Sequence, residues 1–163
     1  MEAAELSSWF DALAAPLVLY ARQWLNPAAA EDAVQEGFVR LMLLPRVPDN
    51  VRAWLYRAVR NEAIGQWRSG RRRARREMNA ARDEPYFDAA PGDAVDGRAA
   101  ADALASLPAA QREVIVLRLW GQLKLAEIAS VTGAPVSSVF HHYRQGLAEI
   151  RKRIGVPCRN AND

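Results

Sequence analysis

Arginines interleaved with aromatic rings form the stretch of this 163-residue chain most suited to binding chemistry. Trp54, Arg57, Arg60, Asn61, Trp67, Arg68, Arg71, Arg72 and Arg73 lie in a basic block that Glu62 alone opposes. Guanidinium groups pair with phosphates, and aromatic faces stack on unpaired bases at ~1–3 kcal/mol each. Each phosphate contact adds about one unit to the salt dependence of binding. Such a set fits nucleic acid. An RNA-binding arm or an acidic protein partner would use the same charges, and for Trp54 and Trp67 alone packing into a small helical core outweighs base contact.

Two further sets stand apart from the arginines. Asp32, Gln35, Glu36, Val39 and Leu43 fall on one face of a helical pattern, opposite a core face of Ala30, Val34, Gly37, Phe38 and Leu41. Two carboxylates mixed with two aliphatics exceed what a solvated strip needs. Either the strip docks onto a basic, partly apolar partner helix, or Val39 and Leu43 touch a neighbouring helix of the same chain. The third set is Ser137, Ser138, His141, His142, Arg144, Gln145, Arg151 and Lys152, the polar face of a helix whose buried face would be Val136, Val139, Tyr143, Leu147 and Ile150. Covalent chemistry has no obvious home. The chain has neither a P-loop nor Cys/His at metal-ligand spacing, and the neighbours His141 and His142 do not face each other on a helix. No catalytic residue, metal or cofactor is expected.

These faces need elements to carry them. Apolar residues at helical spacing run from Gln111 to Trp120, then break at Gly121-Gln122; a short helix carries Leu125, Ile128 and Ala129. Gly133 can supply a left-handed terminus, and Pro135 suits the start of the next helix. Two helices crossing at a glycine-containing turn form a helix-turn-helix, which commonly places its second helix in a DNA major groove. An ordinary helical hairpin would show the same pattern. Upstream, four helices are expected: about 5–25; from Asn26-Pro27 to about Leu44; about 50–60; and, after a hesitation near Asn61-Glu62, one leading into Arg71-Arg72-Arg73. The third turns Val51, Trp54, Leu55, Ala58 and Val59 inward and leaves Arg52, Arg57 and Arg60 mostly outside.

Half the residues are apolar, enough for real cores, and the net charge is only +3. Its distribution matters more. Asp83, Glu84, Asp88, Asp93, Asp96 and Asp102 reverse the sign after the arginine block, among prolines and glycines that break helices. The expected fold is all-α: two small helical domains joined by a flexible acidic linker, the second domain a helix-turn-helix. The boundaries are 1–78, linker 79–99, 100–156 and a tail 157–163. One cysteine, Cys158, excludes an internal disulfide and fits a reducing compartment. No apolar run approaches the ~18 residues that span a bilayer, and the N-terminus is acidic where a signal peptide would be basic. A cytoplasmic location without membrane insertion is expected.

Asp32-Ala33-Val34-Gln35-Glu36-Gly37-Phe38-Val39-Arg40-Leu41, then Arg52-Ala53-Trp54-Leu55-Tyr56-Arg57-Ala58-Val59-Arg60-Asn61, then Leu107-Pro108 with Gln111-Arg112-Glu113-Val114, and Ala126-Glu127-Ile128-Ala129 follow one another in the chain. This series resembles the bacterial RNA polymerase sigma factors of the extracytoplasmic-function (ECF) type over about residues 5–154. The resemblance implies that the acidic helix binds the clamp helices of the largest subunit of core RNA polymerase. It implies that the Trp-Leu-Tyr-Arg helix and its basic continuation open promoter DNA and hold one element single-stranded. The asparagine matching Asn61, in a loop between those helices, would help form a pocket for a flipped-out base, a specificity filter because extrusion costs a few kcal/mol. By its residue type alone, Asn61 also suits a cap or turn. The helix-turn-helix would read a more distant element as duplex, and an anti-sigma factor that sequesters the chain is a partner by family habit.

The chain departs from its relatives in that last domain. They commonly carry Lys or Arg where this chain has Phe140, His142, Gln145 and Leu147, so its phosphate anchoring should be weaker and its salt dependence flatter. Gln145 and the histidines can still bond to base edges. Lys124 stands where a Ser or Thr would cap the helix, a loss of ~1 kcal/mol unless compensated. The linker must also reach. Twenty-odd residues average roughly 25 Å end to end and stretch to ~70 Å, while promoter elements one and a half duplex turns apart lie ~50 Å from each other. Two other classes remain open: a DNA-binding regulator that works without polymerase, and a polymerase-docking module that reads no promoter.

Overall fold

Local signals set most helix boundaries. Asn26 sits in extended backbone and its side-chain oxygen accepts from the Ala29 amide at 2.9 Å, with Pro27 in the first turn. Asn50 does the same for the next helix, accepting from the Ala53 amide at 2.9 Å. The structure, a computed structural model, describes residues 3–76 and 101–154. The expected linker 79–99, the tail 157–163 and Cys158 lie outside them.

The first bundle contains α1 (Ala3–Ala21), α2 (Pro27–Met42) and α3 (Val51–Arg76). Leu13, Leu17 and Tyr20 of α1, Val34, Phe38 and Leu41 of α2, and Leu55, Tyr56 and Val59 of α3 are buried together. Gly37 lets α2 and α3 approach, since a Cβ there would lie 3.1 Å from Val59 Cγ2. One expectation fails here. The chain does not break near Asn61-Glu62, and α3 runs through both residues. Val51, Leu55, Val59 and Ala63 are all buried at four-residue spacing. Asparagine lowers helix propensity by only a few tenths of a kcal/mol, too little to interrupt a face anchored on both sides. Three helices are therefore described where four were expected, and Asn61 lies within a helix rather than in a loop.

The second bundle follows as α4 (101–105), α5 (Ala109–Leu119), α6 (Leu125–Thr132) and α7 (Val136–Ile154). Gly133 ends α6 at φ 72°, left-handed as expected, and its amide donates to Ala129 O at 2.9 Å. Gln122, in the turn between α5 and α6, also has positive φ, 53°. The missing Ser/Thr cap at Lys124 is partly replaced from inside the helix: the Lys124 amide donates to Glu127 Oε2 at 2.6 Å. Gly146 brings α7 against α5, because a Cβ there would lie 3.0 Å from Ile115 Cγ1. Val139 is fully buried, and Tyr143, Leu147 and Ile150 pack against the core, but Val136 is exposed. At the first turn of α7 it precedes the point where the helix meets α5 and α6.

The two bundles dock. α6 packs against α3, and α5 against α1. One contiguous apolar core includes Leu55 and Tyr56 as well as Ile115, Leu123 and Ile128. The charge reversal along the chain does not announce that contact.

Candidate functional site

On α2 the geometry follows from the register. Ala30, Ala33, Val34, Gly37, Phe38 and Leu41 turn inward, so Asp32, Gln35, Glu36, Val39 and Leu43 are exposed on the other side. Val39 is 47% and Leu43 78% exposed, which removes the alternative that a neighbouring helix of the described chain covers them. Met42, three residues after Val39, joins the ridge at 56% exposed. Its spacing made it legible, and the sequence reading passed over it. Arg40 lies across the flank: Nε donates to Glu36 Oε1 at 2.8 Å and Nη2 to Glu62 Oε2 at 2.7 Å. Those two hydrogen bonds raise its pKa further. Glu36 is thus already paired with Arg40, whereas Asp32 is in no ion pair among the described residues.

On α3 the basic residues divide. Arg57, Asn61, Arg68, Arg71, Arg72 and Arg73 are exposed along one helix, as expected. Arg71 stacks over Trp67 with its guanidinium carbon 5.0 Å from the ring centroid, and Trp67 itself is only half-buried. Trp54 packs against the core. Because α3 is unbroken through Asn61, these exposed arginines are all carried on one helix. Arg52 and Arg60 do not join them. Arg60, expected outside, donates through Nε to Glu113 Oε1 at 2.6 Å and through Nη2 to Oε2 at 3.4 Å. Burial alone would lower its pKa, but the hydrogen bond and charge of Glu113 raise it. Arg52 Nη1 donates to the Gly121 carbonyl at 3.1 Å.

Glu113 is 8% exposed and was not singled out. A signal existed: it is the lone carboxylate heading the buried run Val114-Ile115-Val116-Leu117, and a buried charge requires partners. The Tyr20 hydroxyl supplies one, donating to Glu113 Oε1 at 2.7 Å. Burial, then Glu113 itself, push the Tyr20 pKa well above the ordinary value, so this hydroxyl stays a donor throughout the working range. Its ring meets Tyr56 edge-on at 5.3 Å. At the start of α3, Asn50 Nδ2 donates to Glu127 Oε1 at 2.6 Å.

The polar face of α7 is narrower than expected. Ser137, His141, Arg144, Gln145, Arg151 and Lys152 are exposed, and Ser138 is half-buried. His142 moves off that face: it is half-buried, three residues from Val139 and four from Gly146, with Nδ1 enclosed and lacking a partner among the described residues. Phe140 takes its place outside, 49% exposed, with the Arg144 guanidinium 5.8 Å from its ring centroid. Gln145 Oε1 accepts from Gln111 Nε2 at 3.1 Å. Among the described residues no cluster of His, Cys, Asp and Glu is arranged to hold a metal. No described helix is long and apolar enough to cross a membrane.

Residues 9–73 match the family profile of Sigma-70 region 2, and residues 97–150 that of Sigma-70, region 4. The ECF RNA polymerase sigma factor SigL of Mycobacterium tuberculosis (strain H37Rv) is 32% identical over 166 residues, covering 95% of this chain and 93% of the relative. Among solved structures, the sigma factor RpoE in complex with the anti-sigma factor NepR, from Bartonella quintana, superposes with a TM-score of 0.78 at 20% identity, covering 95% of this chain and 99% of that one. CnrH in complex with the cytosolic domain of CnrY gives 0.59 at 21% identity, over 96% and 92% of the two chains. At those identities the structural likeness is one of fold.

Proposed function

The chain belongs to the sigma-70 family as an ECF-type RNA polymerase sigma factor, and we propose that its three exposed faces divide the work of initiation between them. It directs promoter recognition and transcription initiation, as members of this family do; they are initiation factors that act in the cytoplasm. The reaction chemistry belongs to core RNA polymerase.

The α2 ridge of Asp32, Gln35, Glu36, Val39 and Leu43, with Met42 beside it, docks on the clamp helices of the polymerase largest subunit. Carboxylates around exposed aliphatics suit a basic helical partner, giving both steering and buried apolar area. Arg57, Asn61, Trp67, Arg68, Arg71, Arg72 and Arg73 then take the melted promoter strand, with Arg60 joining them once freed from Glu113 and Trp54 supporting the helix from the core side. Ser137, Ser138, His141, Arg144, Gln145, Arg151 and Lys152 face the duplex of the distant element, with His142 behind them steadying the helix. The units are residues 1–78 and 100–156, joined by 79–99. An anti-sigma factor is a further partner; the superposed RpoE is bound to one.

The observation that carries this reading is the α2 ridge. It holds a large exposed aliphatic area beside two carboxylates, on a helix whose other face is wholly committed to the core. The double variant Asp32→Lys/Glu36→Lys tests it. Binding to core polymerase should fall at least about tenfold, with circular dichroism unchanged, because the Glu36–Arg40 surface pair contributes only ~0.3–0.5 kcal/mol. Run-off transcription at wild-type level by that variant would overturn the docking assignment.

A further inference from the structure

Arg60 belongs to the strand-binding face proposed above and Arg52 to the same basic helix, yet in this arrangement both guanidinium groups are occupied by the second bundle. Glu113 receives Arg60 through two nitrogens, at 2.6 and 3.4 Å, and the paired side chains are 22% and 11% exposed. The Tyr20 hydroxyl donates to the same Oε1 that receives Arg60 Nε, at 2.7 Å. At the far end of the contact, Asn50 and Glu127 tie together the first turns of α3 and α6 at 2.6 Å. A carboxylate held by an arginine fork presents two anionic oxygens as a phosphate does.

We propose that Glu113 stands in for a DNA phosphate: with the Asn50–Glu127 bond it forms a latch that closes the free chain against the melted promoter strand, and opening the latch releases Arg60 to that strand. The proposal rests on the assignment of α3 as the strand-binding face. The chemistry favours a reversible contact. When the bundles part, Glu113 and Arg60 recover hydration, which offsets much of the attraction they lose. An interface closed by aliphatic contact alone would have no such return, and no competitor among nucleic-acid groups. A phosphate arriving at Arg60 replaces Glu113 like for like.

The Asn50–Glu127 bond allows a variant that spares the fold. In Asn50→Asp the side-chain oxygen that caps α3 through the Ala53 amide is kept, since Asp and Asn are equivalent N-caps. The donor to Glu127 is replaced by a carboxylate, so attraction across the bundles becomes repulsion. Glu113→Ala opens the other end. Both changes lie outside the residues assigned to DNA. For full-length wild type and each variant, small-angle scattering reads domain separation, and fluorescence anisotropy reads binding of a short labelled single-stranded deoxyoligonucleotide.

The expected result is a larger radius of gyration for both variants, with strand affinity raised about tenfold or more; one charge-assisted hydrogen bond shifts a closed–open ratio by that factor. Unchanged dimensions in Asn50→Asp overturn the latch even if Glu113→Ala fails to fold. Opened variants that bind the strand no better than wild type overturn it too, leaving the strand-binding face intact. If the opened variants bind no single strand at all, the reading of α3 fails and the latch with it.

Discussion

Glu36 and Glu113 are both carboxylates bonded to an arginine, yet their surroundings separate them. Glu36 and Arg40 are each nearly half exposed, one turn apart on a single helix, where water screens most of the attraction. Glu113 has little water and two donors, and it joins segments 53 and 93 residues apart. Asn61 is informative in another way. It is exposed in the middle of α3, with no cap or turn to support. Asn61→Ala should therefore leave stability unchanged or raise it by a few tenths of a kcal/mol. Transcription across a panel of promoter variants should show altered preference at one position, larger than any common loss of activity. A uniform loss across the panel would remove the base-pocket role.

At the level of elements, the helix-turn-helix depends on two glycines for different reasons. Gly133 has open space around it, but its φ of 72° penalises any side chain. Gly121 faces a wall: a Cβ there would lie 2.5 Å from the Leu117 carbonyl oxygen, backbone that cannot move aside without unwinding the end of α5. Gly133→Ala should cost about 1 kcal/mol and Gly121→Ala about 2–3 kcal/mol in urea unfolding. Equal costs at the two sites would mean that the α5–α6 turn relaxes. α3 illustrates the converse, a helix kept whole by burial. Ala63 is fully enclosed, and Glu62 accepts from Arg40 and Gln66, so the weak helix former between Arg60 and Glu62 is carried along.

Across the whole molecule, a shared apolar core with charged groups at its margin makes the two bundles one cooperative unit in the closed state. Removing one partner of a buried pair leaves the other uncompensated, at ~3–5 kcal/mol. Glu113→Ala should therefore lose about 3 kcal/mol in urea unfolding, with a lower m-value as the bundles begin to unfold separately. A loss below about 1 kcal/mol with an unchanged m-value would show that the apolar contact alone holds them together. Under the proposed division of labour, promoter elements ~50 Å apart require the bundles to part, which is what a reversible closed state provides.

How much of this was legible beforehand follows from the range of the forces involved. The order of helices, the cap at Asn26, the left-handed stop at Gly133, the α2 ridge and the exposed arginines were readable because each depends on a few neighbouring residues and a 3.6-residue period. The same local logic erred where local preference was weak, at Asn61, and where a helix outran its contacts, at Val136. His142 faces inward because Gly146 draws α7 onto Ile115, a distance absent from the spacing of residues along the chain. The union of Tyr20, Arg60 and Glu113 belongs to docking alone: each had a plausible place on its own helix, and only the approach of α5 to α1 and α3 turned three separate polar groups into one buried contact.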